Sequence, residues 1–292
     1  MSDSPLENLP HNSPIQPVKF SLDDTIQFRC HKDIACFNEC CKRIDILLTP
    51  YDILRLKKRL ALTANEFLAQ YTVPYEMDSH GMPGIKIRTA DDNPACPFLS
   101  EEGCSVYEDR PTVCRYYALG LMSMRKQDSS TDENTYFLIK EEHCLGHNEP
   151  RTITVRDYRK EQGVEFYDEM DQEWRQIVLK KRSGGPTVGQ PSPRSFQFFF
   201  MVSYNLDNLI VFVQSEGFSD VYDLTADEFE QLKTDDVALL KFGFRLLKQV
   251  LFGEMSIPLK ADAMQKRVQR RREQIQVDPD NPNSSYDGPE II

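Results

Sequence analysis

The chain has 292 residues, with 35 Lys and Arg against 46 Asp and Glu and a formal net charge of −11. A chain of this length can bury about three-quarters of its unfolded surface, so one large domain or two small ones can form without a covalent staple. The acidic balance repels phosphates, which argues against a general nucleic-acid or anionic-membrane binder and leaves an unspecified protein or small molecule as the expected partner.

The opening residues lack the basic and apolar segments of a secretory signal. The most apolar stretch, residues 196–213, is interrupted by Gln197, Ser203, Asn205, Asp207 and Asn208, so it is not read as a membrane span. A reducing, cytoplasmic setting is expected, where eight cysteines bind metal or do chemistry rather than form disulfides.

In chain order, residues 1–20 carry Pro5, Pro10, Pro14 and Pro17 and are expected to be a disordered tail. Residues 21–150 contain every cysteine and form the expected metal-binding domain. Within it, Thr49-Pro50 opens a helix to about Leu60, and Thr63 with Glu66 makes a capping box for a helix through Tyr71. Residues 85–89 and 136–140 alternate as short strands do. Residues 151–275 form an expected helical region. One long helix covers 154–182, with Trp174 on its apolar stripe, and Gly184, Gly185 and Pro186 follow it. A buried helix covers 195–214, a capping box at Thr225 and Glu228 starts helical pattern through Val250, and Met264, Val268 and Ile275 make a thin last stripe. Residues 276–292 read as a disordered tail. The expected class is α+β, mainly helical: an irregular Cys-rich module with short strands, then a helical C-terminal region.

The cysteines fall as Cys30-x5-Cys36-x3-Cys40-Cys41, then Cys96-x7-Cys104-x9-Cys114, then Cys144. Thiolate is the soft ligand preferred by zinc and iron–sulfur clusters, and four thiolates close a zinc site or hold one cluster. Eight therefore serve two centres, or one centre with spare thiols. In an extended segment Cys40 and Cys41 point to opposite sides, which sends them to two centres or turns one inward. The spacing is not a zinc ribbon or the bacterial ferredoxin run, and Arg43 stands where a radical-SAM triplet needs its third cysteine. Arg110 and Arg115 bracket Cys114, where guanidinium groups would offset a cluster's negative charge; ordinary ion pairs at a helix start are the alternative. His31, His143 and His147 lie beside cysteines and are secondary ligand candidates.

These residues resemble the YkgJ-type cysteine-cluster proteins, a zinc- or iron-chelating family. The resemblance rests on an early group ending in Cys40-Cys41, the helix start Leu48-Thr49-Pro50-Tyr51-Asp52, Cys96-Pro97-Phe98-Leu99, the block from Gly103 through Cys104, Arg110-Pro111 and Cys114-Arg115, and Cys144-Leu145-Gly146. It covers about residues 28–150. The first group is looser than the family's commoner x2 spacing, and Tyr116-Tyr117-Ala118 replaces an aromatic-proline step. The resemblance implies a centre held by Cys30, Cys36, Cys40, Cys41, Cys96, Cys104, Cys114 and Cys144, with an iron–sulfur cluster preferred to zinc. The sulfurs of Cys36, Cys40 or Cys41, Cys96, Cys104 and Cys114 should converge, with Cys30 and Cys144 at the edge. Flagellin lysine N-methylases look like distant relatives, so a cluster-dependent enzyme is the alternative. No Gly-rich loop sits between a strand and a helix to support it.

Overall fold

A computed structural model gives the fold and describes residues 13–42, 44–78, 81–90, 94–125, 132–183, 192–266 and 268–269. The expected tail at 276–292, the segment at 184–191 and Ile275 lie outside these residues, as do residues 1–12 and Arg43. Residues 13–20 correct the expected tail. Gln16 N–H donates to Leu138 O at 2.8 Å, and Phe20 and Tyr136 exchange backbone bonds at 2.8 and 3.1 Å. The Phe20 ring packs on the core, which offsets the cost of fixing this backbone.

The strand β1 (Thr25–Gln27) buries Ile26 between two exposed threonine and glutamine side chains. After β2 (Leu47–Leu48) comes α1 (Pro50–Arg59). Thr49 Oγ1 accepts from Asp52 N–H, and the Asp52 carboxylate accepts from Thr49 N–H. The helix α2 (Ala64–Tyr71) has the same reciprocal bonds between Thr63 and Glu66. Four short strands follow: β3 (Thr72–Glu76), β4 (Pro83–Ile87), β5 (Leu99–Ser100) and β6 (Gly103–Cys104). Then come α3 (Thr112–Tyr116), the hairpin β7 (Leu119–Arg125) and β8 (Asp132–Leu138), and β9 (Thr152–Thr154).

The remaining described elements are helical. They are α4 (Val155–Glu161), α5 (Val164–Ser183), α6 (Pro193–Tyr204), α7 (Leu206–Val213), α8 (Glu216–Ser219), α9 (Ala226–Thr234) and α10 (Asp236–Phe252). Three expected continuous helices are therefore broken, each by a local device. Gly163 takes φ +66 between α4 and α5, a left-handed step that ends a helix. Asn205 leaves helical geometry and accepts Asn208 N–H, so α6 and α7 bend by 109°. Asp235 accepts from Val237 and Ala238 N–H and restarts the chain as α10. Among the described residues no single helix is long and apolar enough to cross a membrane.

Two compact units are present, and their division does not follow chain order. One comprises Met1–Leu48, Gln70–Val73 and Ile85–Met170 and includes every cysteine. In it β1 pairs antiparallel with β9 from Thr25↔Thr154 to Gln27↔Thr152, and β7 pairs with β8 from Leu119↔Leu138 onward. Its core gathers Ile26, Phe28, Tyr116, Leu119, Tyr136 and Tyr158.

The other unit comprises Thr49–Ala69, Pro74–Gly84 and Asp171–Ile292 and is helical. The helix α10 lies against α6, α7 and α9. A Cβ at Gly243 would stand 2.8 Å from Val202 and 3.0 Å from Leu209, so α10 approaches α6 and α7 closely only because that position is glycine. Trp174 is core, as its apolar stripe predicts, and its indole N–H donates to Ser203 Oγ at 3.2 Å.

Candidate metal centre

Each cysteine is placed by irregular backbone or by a very short element. Cys30 follows Phe28 and Arg29 as the chain leaves β1, and it is exposed. Arg29 N–H donates to Gly146 O at 3.0 Å, which brings this segment to the turn after Cys144. Leu145 N–H points at Cys36 Sγ at 3.2 Å, a donor to sulfur that requires no side chain. Gly146 makes the approach possible: a Cβ there would stand 2.7 Å from the Phe28 ring and 2.9 Å from Arg29 O.

Cys40 and Cys41 lie in a 3-10 turn, Glu39–Cys41, entered through Asn38 at φ +70. Their sulfurs are 3.9 Å apart. This corrects the expectation of opposed side chains, because strand alternation does not apply to a 3-10 turn. The spacing is close to the sulfur–sulfur edge of a tetrahedral zinc site, about 3.8 Å for Zn–S bonds near 2.3 Å. Cys96 N–H donates to Cys41 O at 2.8 Å, and Leu99 N–H donates to Cys96 O at 3.0 Å. Cys104 lies opposite Leu99 in the β5–β6 hairpin. Cys114 sits in α3, and Cys144 packs against the core of the unit.

None of the eight cysteines forms a disulfide, and several act on one another's thiols. Contact with the Cys41 thiol holds Cys40 below the ordinary thiol value, while the same contact, then burial, holds Cys41 well above it. Desolvation pushes Cys30 up to about 11, with further rises from Cys40, Cys36 and Cys144. Burial raises Cys96, Cys104 and Cys144. Thiols raised in this way hold their protons until a cation replaces them, so metal binding here releases protons. Among the described residues no three His, Cys, Asp or Glu side chains stand close enough to hold one metal ion as they are. The soft donor set and the Cys40–Cys41 spacing fit zinc or iron.

The two arginines differ. Arg115 is buried, with its guanidinium 4.0 Å above the Tyr167 ring. Its N–H groups donate to the carbonyls of Arg110, Glu108 and Gln162 and to the Tyr167 hydroxyl. These bonds fix the chain on either side of α3. Arg110 donates to Tyr107 O and Gln162 Oε1, and its charge eases ionisation of Cys104. The histidines face elsewhere. His31 Nε2 is 3.4 Å from Glu149, His143 Nε2 is 3.6 Å from Glu141, and His147 Nε2 is 2.9 Å from Ile139 O.

Sequence reasoning missed Tyr117 and the Leu145 N–H. The Tyr117 hydroxyl is buried, and burial, then Cys144 and Glu141, hold it protonated. Its place after Cys114-Arg115 was visible only as a departure from a familiar pattern. A backbone N–H aimed at sulfur leaves no trace in sequence.

A unit that carries eight cysteines on irregular backbone, none in a disulfide, has the donor set of a cysteine-based metal-chelating module. Residues 29–145, less than half of the chain, match the CxxCxxCC family model, described as a "putative zinc- or iron-chelating domain". No curated protein and no solved structure matches the chain.

Proposed function

We propose that the cysteine unit holds a metal centre through thiolates, with an iron–sulfur cluster ahead of zinc, and serves a redox or metal-handling role in the reducing cytoplasm. The observation that carries this reading is the gathering of eight cysteines, none in a disulfide, in one unit, two of them with sulfurs 3.9 Å apart in a turn. Eight thiols exceed the four that one zinc ion takes, and thiolates of this kind hold iron–sulfur clusters.

The test is anaerobic purification of the full chain, followed by its visible spectrum and its iron, sulfide and zinc content. A brown protein with matching iron and sulfide supports the cluster. A colourless protein carrying zinc replaces the cluster with a closed zinc site. A folded protein that takes up neither metal overturns the reading, since structural thiolate sites bind zinc with about 10–16 kcal/mol of apparent free energy.

A further inference from the structure

Cys40 and Cys41 stand in a turn that is tied at both ends. Cys41 N–H donates to Asn38 O at 3.0 Å, and Lys42 N–H donates to Glu39 O at 3.1 Å. Cys96 N–H holds the Cys41 carbonyl at 2.8 Å. The two sulfurs lie 3.9 Å apart, in contact, and one thiol can donate to the other. Neither residue is fully buried, so a small solute reaches the pair.

Two thiols this close suit one ion, and they are equally a dithiol open to oxidation. Because the residues are adjacent in sequence, no second segment has to move to join them. The resulting disulfide would be strained. The Cys40–Cys41 peptide is trans, which sets its Cα atoms about 3.8 Å apart, below the usual range of about 4.4–6.8 Å for a disulfide. Strain makes such a bond more reducible, so it forms under an oxidant and is lost again to thiols. That is the behaviour of a labile disulfide rather than a structural one.

We propose that Cys40 and Cys41 form a reversible dithiol–disulfide switch, closed by hydrogen peroxide, that withdraws two thiolates from the metal centre. One sulfur attacks a peroxide oxygen and breaks the O–O bond, which releases water and leaves a sulfenic acid. The neighbouring sulfur attacks that sulfur, the S–S bond forms, and the hydroxyl leaves as a second water. The pair gives up two electrons and two protons to the peroxide. A disulfide sulfur is no longer a thiolate ligand, so a metal held by the pair is released as the bond forms. The effect on a metal rests on the metal-binding reading above; the bond itself does not.

The test treats the full chain with hydrogen peroxide, metal-free and zinc-loaded, as wild type and as Cys36→Ser. The second protein removes the third cysteine of the tryptic peptide 33–42, which Lys32 and Lys42 bound. In the metal-free chain that peptide should lose two hydrogen masses in both proteins, and dithiothreitol should restore them. Adding Cys41→Ser to Cys36→Ser should abolish the loss. The zinc-loaded chain should release one zinc for each disulfide formed, read with a chromogenic chelator. A peptide that keeps its mass, or that is joined to another cysteine peptide, overturns the switch, as does a disulfide that forms with zinc retained. Where Cys36→Ser fails to fold by circular dichroism, fragmentation of the wild-type peptide decides between a Cys40–Cys41 bond and one to Cys36. A chain that forms the bond but takes up no zinc keeps the dithiol pair and counts against the metal-binding reading, which separates the two failures.

Discussion

Replacing Asp171 by Asn should flatten the dependence of stability on pH in the helical unit. Asp171 is fully buried at the start of α1, where Oδ1 accepts Tyr51 N–H at 3.2 Å and Oδ2 has no partner. Burial, then the neighbouring Asp52 carboxylate, pushes its pKa up to about 8, against the opposing pull of Thr49, Tyr51 N–H and Arg175. In the unfolded chain the same group titrates near about 3.9. The folded chain thus keeps a proton that the unfolded chain releases between these values. Its stability contribution is complete below the unfolded pKa and is lost as pH rises to the folded one. The slope is at most about 1.4 kcal/mol per pH unit for the proton that Asp171 shares with Asp52.

Asn has nearly the shape of the protonated carboxyl, keeps the acceptor for Tyr51 and does not titrate. Any cost of its amide is the same at every pH. From pH 5 to 7 the variant should therefore gain on wild type by on the order of 3 kcal/mol. Urea unfolding followed by Trp174 fluorescence at several pH values reads this, because the only tryptophan is buried in the same unit. Parallel pH profiles for the two proteins would refute the reasoning.

Two further substitutions probe the cysteine unit. Arg115→Lys keeps the charge but loses the planar fork that reaches three carbonyls and the Tyr167 hydroxyl, so it should cost about 2–4 kcal/mol in chemical denaturation. Unchanged stability would return Arg115 to a role as a bare positive charge. Gly146→Ala places a methyl 2.7 Å from the Phe28 ring and 2.9 Å from Arg29 O, and it should cost about 1–3 kcal/mol and lower the metal content of the purified protein. A wild-type melting curve would mean that the Cys144 turn does not depend on this close approach.

What could be read in the sequence was local and chemical. Thr49-Pro50 and Thr63 with Glu66 announce their helices because capping is decided within four residues. The cysteine pattern marks the module because thiols of this number and spacing have few other uses in a reducing setting. The helix breaks at Gly163, Asn205 and Asp235 were harder to see, since apolar periodicity runs across them and only the backbone shows the change of direction. The Cys40–Cys41 expectation failed for a related reason: the side-chain directions of neighbours depend on backbone class, and a 3-10 turn was not visible in Glu39-Cys40-Cys41. Arg115 was read through its nearness to Cys114, while its partners Gln162 and Tyr167 are distant in sequence.

The pairing of β1 with β9 also bears on the order of events during synthesis. Thr25 finds its partner only at Thr154, and the Cys30 segment meets the Cys144 turn only after everything between them has been made. Closing so long a loop is slow compared with forming α1 or α2, because its entropy must be lost before any pairing returns it. On a growing chain the early thiols therefore emerge well before their late neighbours. On the reading proposed above, a metal captured then would meet an incomplete ligand set.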